Sequence, residues 1–201
     1  MSGLTFDAAS HTYAFDGNPI PGVTTILKPL TSFHMVRPDI LAAASAFGTA
    51  VHLACELWDR GTLDEAALDP ALVPYLDAWK LFSAENIVNW TMIEDRVHHP
   101  IYRYAGTLDR FGTVNGKQAV VDIKSSVALY PATGMQLAAY KNAIPGASPM
   151  CARLAVQLKA DGSYVAKPYT DRDDWPTFLS LLTLRTWCER HRITPHYQEK
   201  P

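Results

Sequence analysis

The stretch Gly106-Thr107-Leu108-Asp109-Arg110-Phe111-Gly112-Thr113-Val114-Asn115-Gly116-Lys117-Gln118-Ala119-Val120-Val121-Asp122-Ile123-Lys124 contains two apolar runs around one turn signal. Asn-Gly between alternating apolar residues is the strongest short-range mark of a two-residue hairpin. With Asn115-Gly116 as that turn, Val114 pairs with Lys117 and Asp109 faces Asp122. Two carboxylates opposed across a hairpin, with Cβ atoms about 5 Å apart, repel each other. A fold keeps such a pair when something positive sits between them, and a divalent cation with oxygen ligands is the obvious candidate. Asp122 and Lys124 are two apart on one strand and point to the same face. The Asp can therefore hold a metal while the Lys sits beside whatever the metal binds. The ordinary alternative is an edge hairpin with solvated charges. Against it, Asp122 follows Ala119-Val120-Val121, the mark of a partly buried strand, where unpaired charge is costly.

Outward from the hairpin, Trp90 to Val97 reads as a strand, followed by strands over Arg103 to Thr113 and Gln118 to Lys124. Ala132 to Ala143 is a helix stopped by Pro145-Gly146. Cys151 to Lys159 and Tyr164 to Tyr169 form a second hairpin around Asp161-Gly162. Trp175 to Arg190 is a closing helix. Upstream, His11 to Phe15 is a short strand, Asp16-Gly17-Asn18-Pro19 a turn, and Thr24-Thr25 a helix start. Pro38 opens a helix running to about Trp58 and ended by Gly61. Pro70 and Pro74 bracket the start of another, with Leu76, Trp79, Leu81 and Phe82 as its bulk. This order predicts one α/β (α+β) domain over residues 1–201, a mixed central sheet flanked by helices.

Composition narrows the function. The 201 residues are 48% hydrophobic and 19% charged with a net charge of −2, so no global basic field advertises nucleic acid. Basic residues gather late, from Arg185 through Arg190, His191, Arg192 and His196 to Lys200; a solvated helix end explains them as well as phosphate contacts do. Cys55, Cys151 and Cys188 have no close pair, which argues against a disulfide framework, a zinc site or an iron–sulfur cluster and fits a reducing, cytoplasmic setting. The start Met1-Ser2-Gly3-Leu4 does not read as a secretory signal. No apolar run is expected to reach the roughly 20 residues of a membrane span.

Three further groups bear on chemistry. Gly48, His52 and Glu56 share a helix face, and the mid-helix glycine suggests close approach by a neighbour. Imidazole suits transition metals better than magnesium, so His52 as a ligand would hint at manganese. Glu94, on the strand before the hairpin, could bring a third carboxylate to the same sheet end. Gln136 and Tyr140 project from one helix face just after the Asp-x-Lys strand. Each has an ordinary reading: a structural helical histidine, a solvent-facing strand residue, an amphipathic helix.

Taken in order, Gly48/His52, Gly106/Asp109/Arg110, Asp122/Lys124 and Gln136/Tyr140 resemble the PD-(D/E)XK nuclease superfamily. More narrowly they resemble its RecB-type branch, which includes phage exonucleases. His11-x-Tyr13 and Pro21-Gly22-Val23-Thr24-Thr25-Ile26-Leu27 resemble the opening of many small members. The likeness covers roughly residues 11 to 143. It implies a restriction-endonuclease-like core and hydrolysis of DNA with one or two Mg2+ or Mn2+ ions. The metal would be held by His52, Asp109, Asp122 and the Ile123 carbonyl. Lys124 would lie near the scissile phosphate, with Gln136 and Tyr140 supporting DNA binding and the active site, and Glu94 and Glu56 as further ligands or their partners. No nucleotide-binding Gly-rich loop is present, so no ATP is expected. The expected partners are a DNA strand or duplex end, contacted by sparse basic residues such as Arg103, Arg110 and Lys141, and a single-strand-annealing or other recombination protein, with no membrane. An exonuclease in recombination, repair or phage DNA processing is the reading. An endonuclease of the same superfamily and a catalytically silent nucleic-acid-binding relative stay open.

Overall fold

A computed structural model describes residues 3–31 and 36–194 of the chain. His196 and Lys200 of the late basic group lie outside the described residues. Three short strands come first, β1 (Leu4–Asp7), β2 (Thr12–Phe15) and β3 (Asn18–Ile20), paired antiparallel in that order. Then follow α1 (Val23–Leu27), α2 (Pro38–Asp59), α3 (Val73–Glu85), β4 (Val88–His99), β5 (Tyr104–Val114), β6 (Lys117–Lys124), α4 (Ala132–Ala143), β7 (Ala152–Leu158), β8 (Tyr164–Pro168) and α5 (Asp174–His191).

The five later strands form one sheet in the order β4-β5-β6-β7-β8. Only β6 and β7 run parallel; every other pair is antiparallel. Parallel neighbours need a crossover, and α4 supplies it. The result is the expected mixed α+β arrangement.

The hairpin register is the expected one, with Val114 opposite Lys117 and Arg110 opposite Val121. Asn115 and Gly116 have φ of 51° and 74°, the left-handed pair that a tight hairpin turn requires. On β6 the period of two sorts side chains between two cores. Val120 joins a cluster with α1, α4 and α5, built on Leu27, Leu137, Tyr140 and Phe178. Ala119, Val121 and Ile123 join a second with α2 and α3, built on Val51, Trp79 and Phe82. The sheet is thus covered on both faces, as continuous apolar runs in its central strands require.

Three expectations need correcting. Asp16-Gly17 alone forms the first turn, with φ of 51° and 77°, and Asn18-Pro19 begin β3. Proline is tolerated there because β3 is an edge strand. Leu4–Asp7, unassigned from sequence, pairs with β2. Finally, α2 is long and apolar enough by composition to cross a membrane, at mean hydropathy 1.5, against the expectation that no segment would be. Only 17% of its apolar window is buried in the protein. Val51, Ala54 and Cys55 are built into the core, and Asp59 at its end is ion-paired with Arg110.

Candidate metal centre

The site forms where the β5–β6 ladder stops. Pairing runs from Val114/Lys117 to Arg110/Val121 and ends there. Beyond it the Asp109 side chain takes over the strand's role: its Oδ2 accepts the Ile123 N–H at 2.6 Å. The sheet end is thereby splayed and still hydrogen-bonded. Asp109 and Asp122 are 7% and 1% exposed, so the two acidic groups are inside the protein.

Two helices and a neighbouring strand close around them. His52 on α2 places Nδ1 3.5 Å from Asp109 Oδ1 and 3.7 Å from Glu94 Oε1. Ligand atoms of His52, Glu94 and Asp109 all lie within 4.8 Å of one another. Lys124 Nζ approaches Asp122 Oδ2 at 2.7 Å, and at 3.4 Å donates to Gln136 Oε1 on α4. Gln136 Nε2 in turn donates to the Tyr140 hydroxyl at 3.2 Å. These residues line a cleft of about 470 Å3, together with Gly48, Thr49, Thr24, Phe6, His11 and Tyr13.

Glu94 reaches the cleft through an unusual backbone. Its φ is 50°, and the regular pairing of Ile93 with Arg110 and Asp95 with Leu108 passes over it. A left-handed glutamate inside a strand costs on the order of 1–3 kcal/mol. That conformation occurs where the side chain joins a cluster of ionisable groups, the setting in which backbone strain usually serves function.

Electrostatics without a cation are self-balancing. Burial alone would depress the His52 imidazolium, but the Asp109 and Glu94 carboxylates outweigh it and hold its pKa at about 10. Burial likewise opposes the Asp109 charge, yet His52 and Lys124 bring its pKa below the ordinary value. Burial pushes Asp122 up to about 6; Lys124 offsets this in part and Asp109 adds to it. Neither Asp122 oxygen accepts a well-formed hydrogen bond among the described residues, despite the close ammonium. Buried carboxylate oxygens are rarely left so. Asp122 with only an ammonium against it, two further carboxylates and one imidazole suit a hard or borderline divalent cation. A cation would take over the balancing role of His52, which must be neutral to be a ligand.

The expected residues thus come together, with changes of rank. Glu94 belongs to the tight trio with His52 and Asp109, while Asp122 stands beside it paired with Lys124. Ile123 contributes its N–H to Asp109. Glu56 bonds Arg60 Nε at 3.0 Å and does not line the cleft. Gly48 is not crowded by the protein. A Cβ there would meet only Ser125 Oγ at 3.5 Å, an ordinary contact, so the glycine fronts the open cleft. Gly106 is crowded: a Cβ would lie 2.6 Å from the Tyr140 ring.

One of the proposed phosphate contacts fails, and another lies away from the cleft. Arg110 is fully buried, bonded to Asp59, Glu94 and the Asp109 carbonyl. Lys141 Nζ donates to the Pro149 carbonyl beside a different cavity of about 730 Å3. That cavity is the larger of the two, but the His52, Glu94 and Asp109 trio belongs to the smaller. Asp59, not singled out from the sequence, is the missed residue; the fully buried Arg110 depends on it.

No family model matches the chain, and no curated protein matches it.

Proposed function

We propose that the protein is a metal-dependent deoxyribonuclease with a restriction-endonuclease-like core, acting on DNA ends in a cytoplasmic setting. The observation that carries this reading is the convergence of His52, Glu94 and Asp109 within 4.8 Å beside the buried Asp122 and its ion partner Lys124. The order of His52, Asp109, Asp122, Lys124, Gln136 and Tyr140 along the chain supports it, since it resembles the order of motifs in the PD-(D/E)XK nucleases. When bound, a divalent cation supplies Lewis-acid polarisation of the phosphate and a more acidic water.

The protein's own groups account for the rest. Asp109, fixed by the Ile123 N–H, and Glu94, turned inward by its backbone, present oxygens at set positions. His52 approaches from the opposite wall on α2. Lys124, once Asp122 is engaged elsewhere, is the cation free to orient a nucleophilic water or a phosphate oxygen. Gln136 holds Lys124 toward the cleft, and Tyr140 holds Gln136. Gly48 lets a strand backbone pass close to α2. Lys124 is the one Lys or Arg on the cleft wall among the described residues. Affinity for DNA then comes more from the metal and from contacts along the rim than from a basic groove. A single-strand-annealing or other recombination protein as partner belongs to this proposal.

The test uses labelled linear and closed circular DNA with magnesium or manganese. Linear single strands or duplexes with free ends are expected to be degraded while closed circles survive. Rapid cutting of circles would favour an endonuclease. Binding without cleavage under either metal would overturn the enzymatic reading.

A further inference from the structure

Arg110 is fully buried, so it touches no substrate, yet its guanidinium is spent on the candidate ligands. Nη1 donates to Glu94 Oε1 at 3.1 Å and to the Asp109 carbonyl at 2.7 Å. Nε donates to Asp59 Oδ2 at 2.6 Å. Asp59 ends α2, two helical turns after His52, and both of its oxygens accept from Trp79 Nε1, at 3.1 and 3.2 Å. The Trp79 ring lies 5.5 Å from the guanidinium carbon. The same corner is tied once more by Arg60, whose Nη2 donates to the Ile93 carbonyl at 2.8 Å. One planar fork therefore joins the three elements that carry His52, Glu94 and Asp109.

We infer that Arg110, anchored by Asp59, is a positioning residue that sets Glu94 against Asp109 and His52 for cation binding. This rests on the metal reading of the cleft. Glu94 needs such a device more than its neighbours do. Asp109 is fixed by a backbone N–H, whereas Glu94 stands on a left-handed residue where the strand ladder offers it nothing. Charge alone would not suffice. A lysine could neutralise one carboxylate but could not hold Asp59, Glu94 and a carbonyl in one plane.

The experiment measures Mn2+ binding by calorimetry, with melting curves as the check on folding. Arg110→Lys is expected to weaken Mn2+ binding about tenfold or more, the usual cost of losing a ligand's support. Asp59→Asn, which keeps the volume beside Trp79, is expected to weaken it in the same direction and decides the matter if Arg110→Lys does not fold. The discriminating readout is the double variant. If Arg110 acts through Glu94, then Glu94→Gln and Glu94→Gln combined with Arg110→Lys (or with Asp59→Asn) bind Mn2+ equally, since the second change has nothing left to misplace. Additive losses, or unchanged affinity in the folded single variants, overturn the inference while leaving the metal reading intact. Wild-type protein that binds no Mn2+ overturns both.

Discussion

At its Asn115-Gly116 end, the β5–β6 hairpin is held by ladder pairs and by its surroundings. Asn115 Oδ1 accepts from the Ile87 N–H, and Asn115 N donates to the Ile87 carbonyl. At the other end the same two strands part after Arg110/Val121, and carboxylates occupy the gap. Asp109 replaces one ladder bond with its side chain; Asp122 makes none with good geometry. The sequence between the ends is continuous, and one register holds from Val114/Lys117 to Arg110/Val121. What differs is whether burial is matched by hydrogen bonding. One end is closed by ladder bonds; the other sets carboxylates inside the protein, and on the proposed metal reading it awaits a cation, which is where local rules are expected to fail in a working protein.

Breaking the incomplete end should have the largest effect. Asp109→Ala and Asp122→Ala are both expected to reduce cleavage to background, read by release of labelled nucleotides. Their stabilities should part. Asp122→Ala loses the Lys124 ion pair but relieves the repulsion with Asp109 that helps push its pKa up, so the cation-free protein should lose little or no melting temperature. Asp109→Ala leaves the Ile123 N–H without its acceptor and should cost about 1–3 kcal/mol. Full activity in either variant would sink the site assignment; equal melting losses would sink the contrast between the two carboxylates.

Lys124→Ala comes next. It should lower turnover by about 10² or more while Mn2+ binding survives, because the ammonium acts on charge rather than holding the cation. Lost Mn2+ binding would make Lys124 a structural partner of Asp122. His52→Ala should cost less in magnesium than in manganese, erasing the preference an imidazole ligand confers. A metal preference identical to wild type would return His52 to helix packing.

Gly106→Ala probes the support behind Lys124. Its Cβ would be 2.6 Å from Tyr140 Cε1, in a fully packed position. The ring must shift, and overpacking of this kind costs about 1–3 kcal/mol. Because Tyr140 holds Gln136 and Gln136 holds Lys124, turnover should fall several-fold without loss of Mn2+ binding. Unaltered turnover in a destabilised variant would separate the Gln136–Tyr140 pair from the chemistry.

The two ends also differ in how much of them could be read beforehand. The turn was legible because its determinants are adjacent residues, and α4 was legible for the same reason: its expected bounds, Ala132 and Ala143, are the observed ones. Extending the register pointed to Asp109 directly opposite Asp122; the ladder stops one pair short, and the Asp109 side chain bonds the Ile123 N–H instead. Glu94's reversed backbone could not be read, since nothing in Met92-Ile93-Glu94-Asp95 demands a positive φ. Arg110 next to Asp109 looked like a surface cation. Its burial depends on Asp59, 51 residues away, and on Trp79 from another helix. Local signals carry periodicity and turns; partners distant in sequence decide which charges are interior.

The smallest effect is expected at the complete end, and it sharpens the comparison by what it leaves untouched. Gly116 has φ of 74°, and a Cβ there would meet nothing within 4 Å. Gly116→Ala therefore adds no clash, only the cost of holding an L-residue in the left-handed region, about 1–2 kcal/mol. The loss should appear as a lower melting temperature. Turnover and Mn2+ affinity measured well below the melt should match wild type, because the pairs from Val114/Lys117 to Arg110/Val121 insulate the site from the turn. If Gly116→Ala instead weakens Mn2+ binding, the register is set from the turn outward, and the spacing of Asp109 and Asp122 depends on it. If stability does not change at all, the Asn115 bonds to the segment before β4, rather than the turn's own conformation, hold that end closed.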